Sequence, residues 1–184
     1  MQLIVACCKT VEDYIKQEAH LMVRAPERCP RCGKLHTLTH LGYYSRGCTD
    51  TEGVAREISV ARFQCSNCKI TVSCLPDFAQ PYRLVNNTTT QKFFNGDRKS
   101  TDVVHRHDNL QSYWKRFADT ARRLQQTVGC ALGRAPPKEP AAGLWRRILA
   151  KYGTLANATR YLVSEFKTTC FGRYACHSPA AQVA

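Results

Sequence analysis

The sequence predicts an α+β chain: a small antiparallel sheet stapled by cysteines, then a run of helices. Three observations carry that expectation. Two Cys-x-x-Cys pairs, Cys29–Cys32 and Cys65–Cys68, bracket short runs rich in β-branched and aromatic residues. After residue 80 the apolar residues recur at helical spacing instead. The charge divides at the same place: residues 1–80 carry 10 Lys and Arg against 8 Asp and Glu, while residues 81–184 carry 17 against 6.

The elements follow in order. Leu3 to Cys8 reads as a short apolar strand, and Val11–Met22 as a helix. Leu41–Arg46, Ile58–Gln64 and Ile70–Leu75 read as strands. Residues 1–80 thus form an N-terminal unit of strand, helix and cysteine-stapled sheet. Residues 81–132 read as helical, with a first helix over Leu84–Phe94 that closes at Asn95-Gly96. A second helix starts at Ser100 as N-cap, with Val103 and Val104 as core contacts. His107-Asp108-Asn109 is the turn into a third helix. Residues 133–143 hold three prolines between two glycines, which marks a linker. Residues 144–177 read as a helical hairpin, with Thr154 capping its second helix, and 178–184 as a small polar tail.

At 184 residues the chain suits one ordinary domain or two small ones. With 43% apolar and 22% charged residues it has enough apolar side chains for a core. No run approaches the ~18–20 apolar residues that span a membrane. Met1–Ala6 is too short for a secretory apolar region. The expected location is the cytoplasm, in association with the nucleoid. There eleven cysteines, an odd number, point to metal binding rather than to a disulfide framework.

In each Cys-x-x-Cys pair two intervening residues let both thiolates turn toward one ion. Gly33 supplies the permissive backbone for such a turn. Two pairs separated by 32 residues give four soft ligands around a β-hairpin, the zinc-ribbon arrangement. The expectation is one structural Zn²⁺ held by Cys29, Cys32, Cys65 and Cys68, in a closed site with no open position for catalysis. Cys48, Cys74, His36 and His40 are not needed as ligands. Cys170, Cys176 and His177 could be half of a second site, with no partner pair in view.

A cationic half-chain releases counterions on meeting a phosphate backbone, so double-stranded DNA is the leading partner. Leu110, Trp114, Phe117, Ala121 and Leu124 give the third helix one apolar stripe. Its other face offers Gln111, Ser112, Lys115, Arg116, Arg122 and Arg123. That is the build of a recognition helix in a helix-turn-helix, with one face buried and the other reaching base edges. Gln111, Ser112, Lys115 and Arg116 would lie deepest, since Gln pairs with adenine and Arg with guanine. Arg122 and Arg123 would lie nearer phosphates, and Lys99 and Arg106 complete the expected contacts. The C-terminal hairpin has three readings: docking on these helices, a second DNA contact, or a homodimer interface.

No catalytic constellation accompanies this. His105-Arg106-His107 lacks the apolar middle residue of the His-x-His metal motif of nicking enzymes, in which Tyr113 could pose as nucleophile. Six carboxylates follow residue 80, with no sheet to gather three of them on a metal. The expectation is a protein that is not an enzyme, with a nicking or transposition enzyme as a minor rival.

Further residues carry a resemblance. Cys29-Pro-Arg-Cys32-Gly33 is followed by Leu35-His36 and His40-Leu-Gly42-Tyr43-Tyr44-Ser-Arg46. Then come Ile58 to Arg62, Cys65-Ser-Asn-Cys68-Lys69, Leu75-Pro76-Asp-Phe78 and Pro81-Tyr82. Over roughly residues 1–128 this resembles short bacterial proteins of unassigned function, which carry a zinc ribbon plus helix-turn-helix of the transposase-associated, insertion-sequence type. The resemblance implies DNA binding linked to a mobile element, with a transposase or another mobile-element protein as partner. Two other classes stay open: a protein–protein adaptor in a transposition or phage complex, and an RNA-binding protein that stacks bases on Tyr43, Tyr44 and Phe63.

Overall fold

The computed structural model describes residues 1–7, 10–133 and 139–173. It is mixed α and β. Strands β1 (Gln2–Val5), β2 (Leu38–Thr49), β3 (Ala55–Cys65) and β4 (Thr71–Pro76) form one sheet in the order β1-β4-β3-β2. β2 and β3 make a long hairpin, in register from Leu38 opposite Cys65 to Thr49 opposite Ala55, with a bulge between His40 and Gly42. β4 returns antiparallel to β3, and β1 pairs parallel to β4. The sheet expected to be antiparallel is therefore mixed. The whole hairpin lies between β1 and β4 in the chain, and so long a crossover is what parallel pairing requires.

α1 (Val11–Lys16) opens on Thr10, whose hydroxyl accepts the Asp13 N–H at 3.1 Å. The expected helix does not continue to Met22. Glu18 turns left-handed at φ 47°, and a 3₁₀ turn covers Ala19–Met22. The bend brings Tyr14 and Ala19 into the same core, where the Tyr14 hydroxyl donates to the Ser59 carbonyl at 3.0 Å.

The helices are α2 (Asn87–Phe94), α3 (Thr101–His105), α4 (His107–Leu132), α5 (Ala141–Tyr152) and α6 (Leu155–Phe166). A two-stranded ladder, β5 (Thr168–Thr169) with β6 (Gly172–Arg173), follows α6. α2 starts later than Leu84 because Asn86 is its cap and accepts the Thr89 N–H at 2.8 Å. The poor helix formers Thr89 and Thr90 are tolerated because their hydroxyls are used. Thr89 donates to Asp102 at 2.7 Å and Thr90 to the Asn86 carbonyl at 2.8 Å. Ser100 precedes α3, but its hydroxyl bonds the Asp97 carboxylate instead of capping the helix. Val103 is fully buried, whereas Val104, expected in the core, is 55% exposed because so short a helix has only one inward edge.

The expected turn at His107–Asn109 is helix; the break falls on Arg106 alone. Two bonds fix that break: the Arg106 Nε donates to the Gly53 carbonyl at 2.5 Å, and His105 Nδ1 lies 2.9 Å from the Glu52 carbonyl. Gly53, at φ 82°, is required there, since a Cβ would sit 2.8 Å from the Asp102 carbonyl oxygen. The tip of the β2–β3 hairpin is thereby seated on α3.

The helical core centres on Phe94. Trp114 meets it edge-on at 4.8 Å, Trp145 at 5.0 Å, and Phe117 lies at 5.6 Å. Leu110, Leu144, Ile148, Leu155 and Leu162 fill the space around it. A second cluster joins Ile4, Ile58, Val60, Leu75 and Phe78 of the sheet side to Val163 of α6. The Gln80 amide adds a buried bond to Thr159 Oγ1 at 3.0 Å. α5 opens at Ala141, so its first turn lies within residues expected as linker; residues 134–138 lie outside the described residues, as do Cys176, His177 and the tail. No helix among the described residues is long and apolar enough to cross a membrane.

Candidate functional site

Each cysteine pair closes the same turn. In the first, the Gly33 N–H donates to the Cys29 carbonyl at 2.9 Å and the Cys29 N–H to the Lys34 carbonyl at 3.0 Å. In the second, the Lys69 N–H donates to the Cys65 carbonyl at 2.9 Å and the Cys65 N–H to the Ile70 carbonyl at 3.0 Å. The residue after each second cysteine is left-handed: Gly33 at φ 71° and Lys69 at φ 59°. The pairs flank the open end of the hairpin, one before β2 and one where β3 ends, and the Lys34 ammonium donates to Asn67 Oδ1 across them at 2.8 Å.

The four sulfurs lie within 4.8 Å of one another. Cys29 Sγ is 3.6 Å from Cys68 Sγ, and Cys32 Sγ is 3.8 Å from Cys65 Sγ. A tetrahedral ion about 2.3 Å from each sulfur sets the sulfurs about 3.8 Å apart, so the donor set fits Zn²⁺. Cys29 and Cys65 are buried, and Cys32 and Cys68 are half-buried.

The electrostatics agree with a cation. Thr37 Oγ1, 3.2 Å from Cys65 Sγ, and the Cys68 N–H favour the Cys65 thiolate and bring its pKa down to about 6. The Lys34 N–H lowers the pKa of Cys32. At Cys68 the Ile70 N–H also favours the thiolate. Burial and the three neighbouring cysteines outweigh it and push this thiol up to about 11. Four thiolates this close repel one another unless a positive ion sits between them. The four cysteines could therefore hold a metal ion such as zinc. All four positions around it would be protein sulfur, which leaves none for a substrate.

The other cysteines and histidines stand apart. Cys48 and Cys74 are fully buried, and burial pushes their thiols up to about 12 and about 11. His36 and His40 are exposed, and Cys170 is buried beneath α4 with its thiol pushed up to about 12. Among the described residues, the four cysteines are the only group placed to share a metal.

On α4, Leu110, Phe117, Ala121 and Leu124 are buried and Trp114 is half-buried, so the apolar stripe faces inward. Gln111, Ser112, Lys115, Arg116, Arg122 and Arg123 are all exposed on the outward side, and so is Lys99 before α3. Arg106 is half-buried and committed to the hairpin tip. Tyr113 is buried, and its hydroxyl accepts the N–H groups of Leu84 at 3.1 Å and Val85 at 3.4 Å. His107 packs edge-on against Phe93 at 5.8 Å instead of joining His105. On the sheet, Phe63 is buried and Tyr44 half-buried; of the three aromatic side chains proposed for base stacking, only Tyr43 is exposed.

Sequence reasoning passed over Arg83 and the capping role of Asn86, and read Arg46, with Arg31, Lys34 and Arg62, as a phosphate contact of the ribbon rather than as a strap. Arg46 donates to the carbonyls of Gln80 at 3.0 Å and Arg83 at 2.5 Å, and so straps the 80–84 segment to β2. Nothing in residue spacing marks such contacts, because each joins residues 34 or more apart in sequence. No curated protein and no solved structure matches the chain. Residues 29–116, from the first cysteine of the metal-competent set to the third turn of α4, match the family model described as Domain of unknown function (DUF6431).

Proposed function

We propose that the protein is a zinc-stabilised double-stranded DNA-binding protein. The knuckles and the β2–β3 hairpin act as a zinc ribbon, and α3 and α4 act as the second and third helices of a helix-turn-helix. The observation that carries this reading is the outward face of α4, where Gln111, Ser112, Lys115, Arg116, Arg122 and Arg123 are exposed along a helix whose other side is buried. The excess of 17 basic over 6 acidic side chains in residues 81–184 supports it. A role beside a transposase or another mobile-element protein rests on the sequence resemblance alone. The reading assigns the protein no catalysis: the metal would have no open position, and Tyr113 is buried.

The test is binding of the full chain to one duplex selected from a random pool and to a scrambled duplex, across a salt series. Arg122→Ala and Arg123→Ala should weaken binding to both duplexes alike, and each should flatten the salt slope by about 1. Gln111→Ala should cost about 1–3 kcal/mol on the selected duplex and little on the scrambled one. Equal binding of duplex by wild type and all three variants would sink the assignment of α4. Preference for RNA or single strands over every duplex would sink the choice of partner.

A further inference from the structure

A groove of about 440 Å³ lies between the sheet and the 82–84 segment. Gln2, Tyr44, Arg46, Tyr82 and Arg83 line it, and no acidic side chain does. The segment is pinned to α4 through Tyr113, which accepts the Leu84 N–H at 3.1 Å. The Arg83 guanidinium stacks over the Tyr113 ring at 5.6 Å. Arg116 is one turn further along the same helix. It is near enough that, after burial, its charge is the next cause lowering the Arg83 pKa.

Two details leave the Arg83 cation uncompensated. The Arg83 Nε is buried and has no hydrogen-bond partner, although another nitrogen of the same group donates to the Tyr82 carbonyl at 3.0 Å. A buried donor without a partner is costly. Among the described residues no carboxylate pairs with Arg83, Arg116 or Arg46; Arg46 spends its donors on backbone carbonyls and keeps its charge. The Arg83 and Arg116 charges repel without a counter-charge, and an anion bound by both relieves that repulsion.

We propose that Arg83, stacked on Tyr113, and Arg116, one turn further along α4, together seat one backbone phosphate of the bound nucleic acid, beside the bases that α4 reads. This rests on the DNA-binding reading and sharpens it. Arg116 moves from the base-reading set to the backbone, and the register of α4 on the duplex is set by a residue outside the helix. Arg83 approaches as a planar fork, which a lysine there would not reproduce.

Two measurements on the full-length protein test this. The first follows the arginine Nε–H signals by ¹⁵N NMR during titration with inorganic pyrophosphate. The Arg83 signal should shift saturably, and Arg116→Gln, an exposed change that spares the fold, should abolish the shift. A shift at Arg83 no larger than that at exposed Arg31 would overturn the phosphate seat. The second is duplex binding. Arg83→Lys and Arg116→Gln should each weaken it on the order of tenfold, on selected and scrambled duplex alike. A loss by Arg116→Gln confined to the selected duplex would return Arg116 to base reading and overturn the seat, while the DNA-binding reading stood. A saturable pyrophosphate shift in a protein that binds no duplex would leave an anion site, overturn its nucleic-acid occupant, and refute the wider reading separately.

Discussion

Asn86 does three jobs with one amide. Its oxygen caps α2 through the Thr89 N–H, and its nitrogen donates to the carbonyls of Thr49 and Asp50, both at 3.0 Å. Asn86→Ala removes the cap and strands two buried carbonyls, so it should cost about 2–4 kcal/mol in urea unfolding. Asp50, beside it, sets a pH limit. Burial pushes its carboxyl up, but the Arg56 guanidinium at 2.8 Å and the N–H groups of Val54 and Glu52 outweigh burial and lower its pKa. A carboxyl whose pKa falls on folding adds stability above its unfolded value, near 3.8, and that stability is lost as the pH falls through the lower folded value. Wild type should therefore lose more stability than Asp50→Asn between about pH 5 and pH 2, as read by urea midpoints.

At the scale of elements, the hairpin tip is the joint between the two halves. Gly53→Ala adds a Cβ 2.8 Å from the Asp102 carbonyl at a φ of 82°, so α3 must move or the tip must lift. The expected loss is about 2–4 kcal/mol, against a few tenths for alanine at exposed Ser112; thermal unfolding of both variants checks it. How far each element could be read from sequence follows from where its information lies. The four cysteines were legible because a chelate depends on local spacing. The stripe of α4 was legible because a long amphipathic helix repeats its signal over many turns. The break at Glu18 was hidden, and the one at Arg106 was read but placed one residue too late. Glu18 turns left-handed to bring Tyr14 and Ala19 into one core, and Arg106 breaks the helix for a carbonyl 53 residues away. The parallel pairing of β1 was hidden for the same reason, since register between distant strands leaves no local pattern. Phe63 read as an exposed platform because alternation along β3 cannot say that both of its faces are covered.

At the scale of the whole molecule, the cysteine cluster and the helical core are separate. Cys29 and Cys65 pack with Leu38, Phe63 and Val72, while the core around Phe94 includes none of these. With a metal in the four-cysteine site, its removal should therefore unfold the protein in stages. A strong chelator, or Cys65→Ser, should free the knuckles and the neighbouring ends of β2 and β3 to exchange hydrogen first. The amides of α4 between Leu110 and Leu124 should stay protected longer. Hydrogen exchange resolved by residue checks the order. Unchanged thermal stability in chelator, with no metal detected in the purified protein, would remove zinc from the account.

The hairpin also works as a gauge. One end is fixed by the cysteine pairs and the other by Gly53 against α3. β2 is 12 residues long, about 40 Å at strand rise. An inserted residue in one strand flips every following side chain to the opposite face. Matched pairs in both strands keep the faces but carry the tip about 7 Å past its seat. The interval of 32 residues between Cys32 and Cys65 is thus a measured length rather than a tolerant loop. Homologues that keep both cysteine pairs and the glycine at the tip should therefore vary in length almost anywhere else before they vary here.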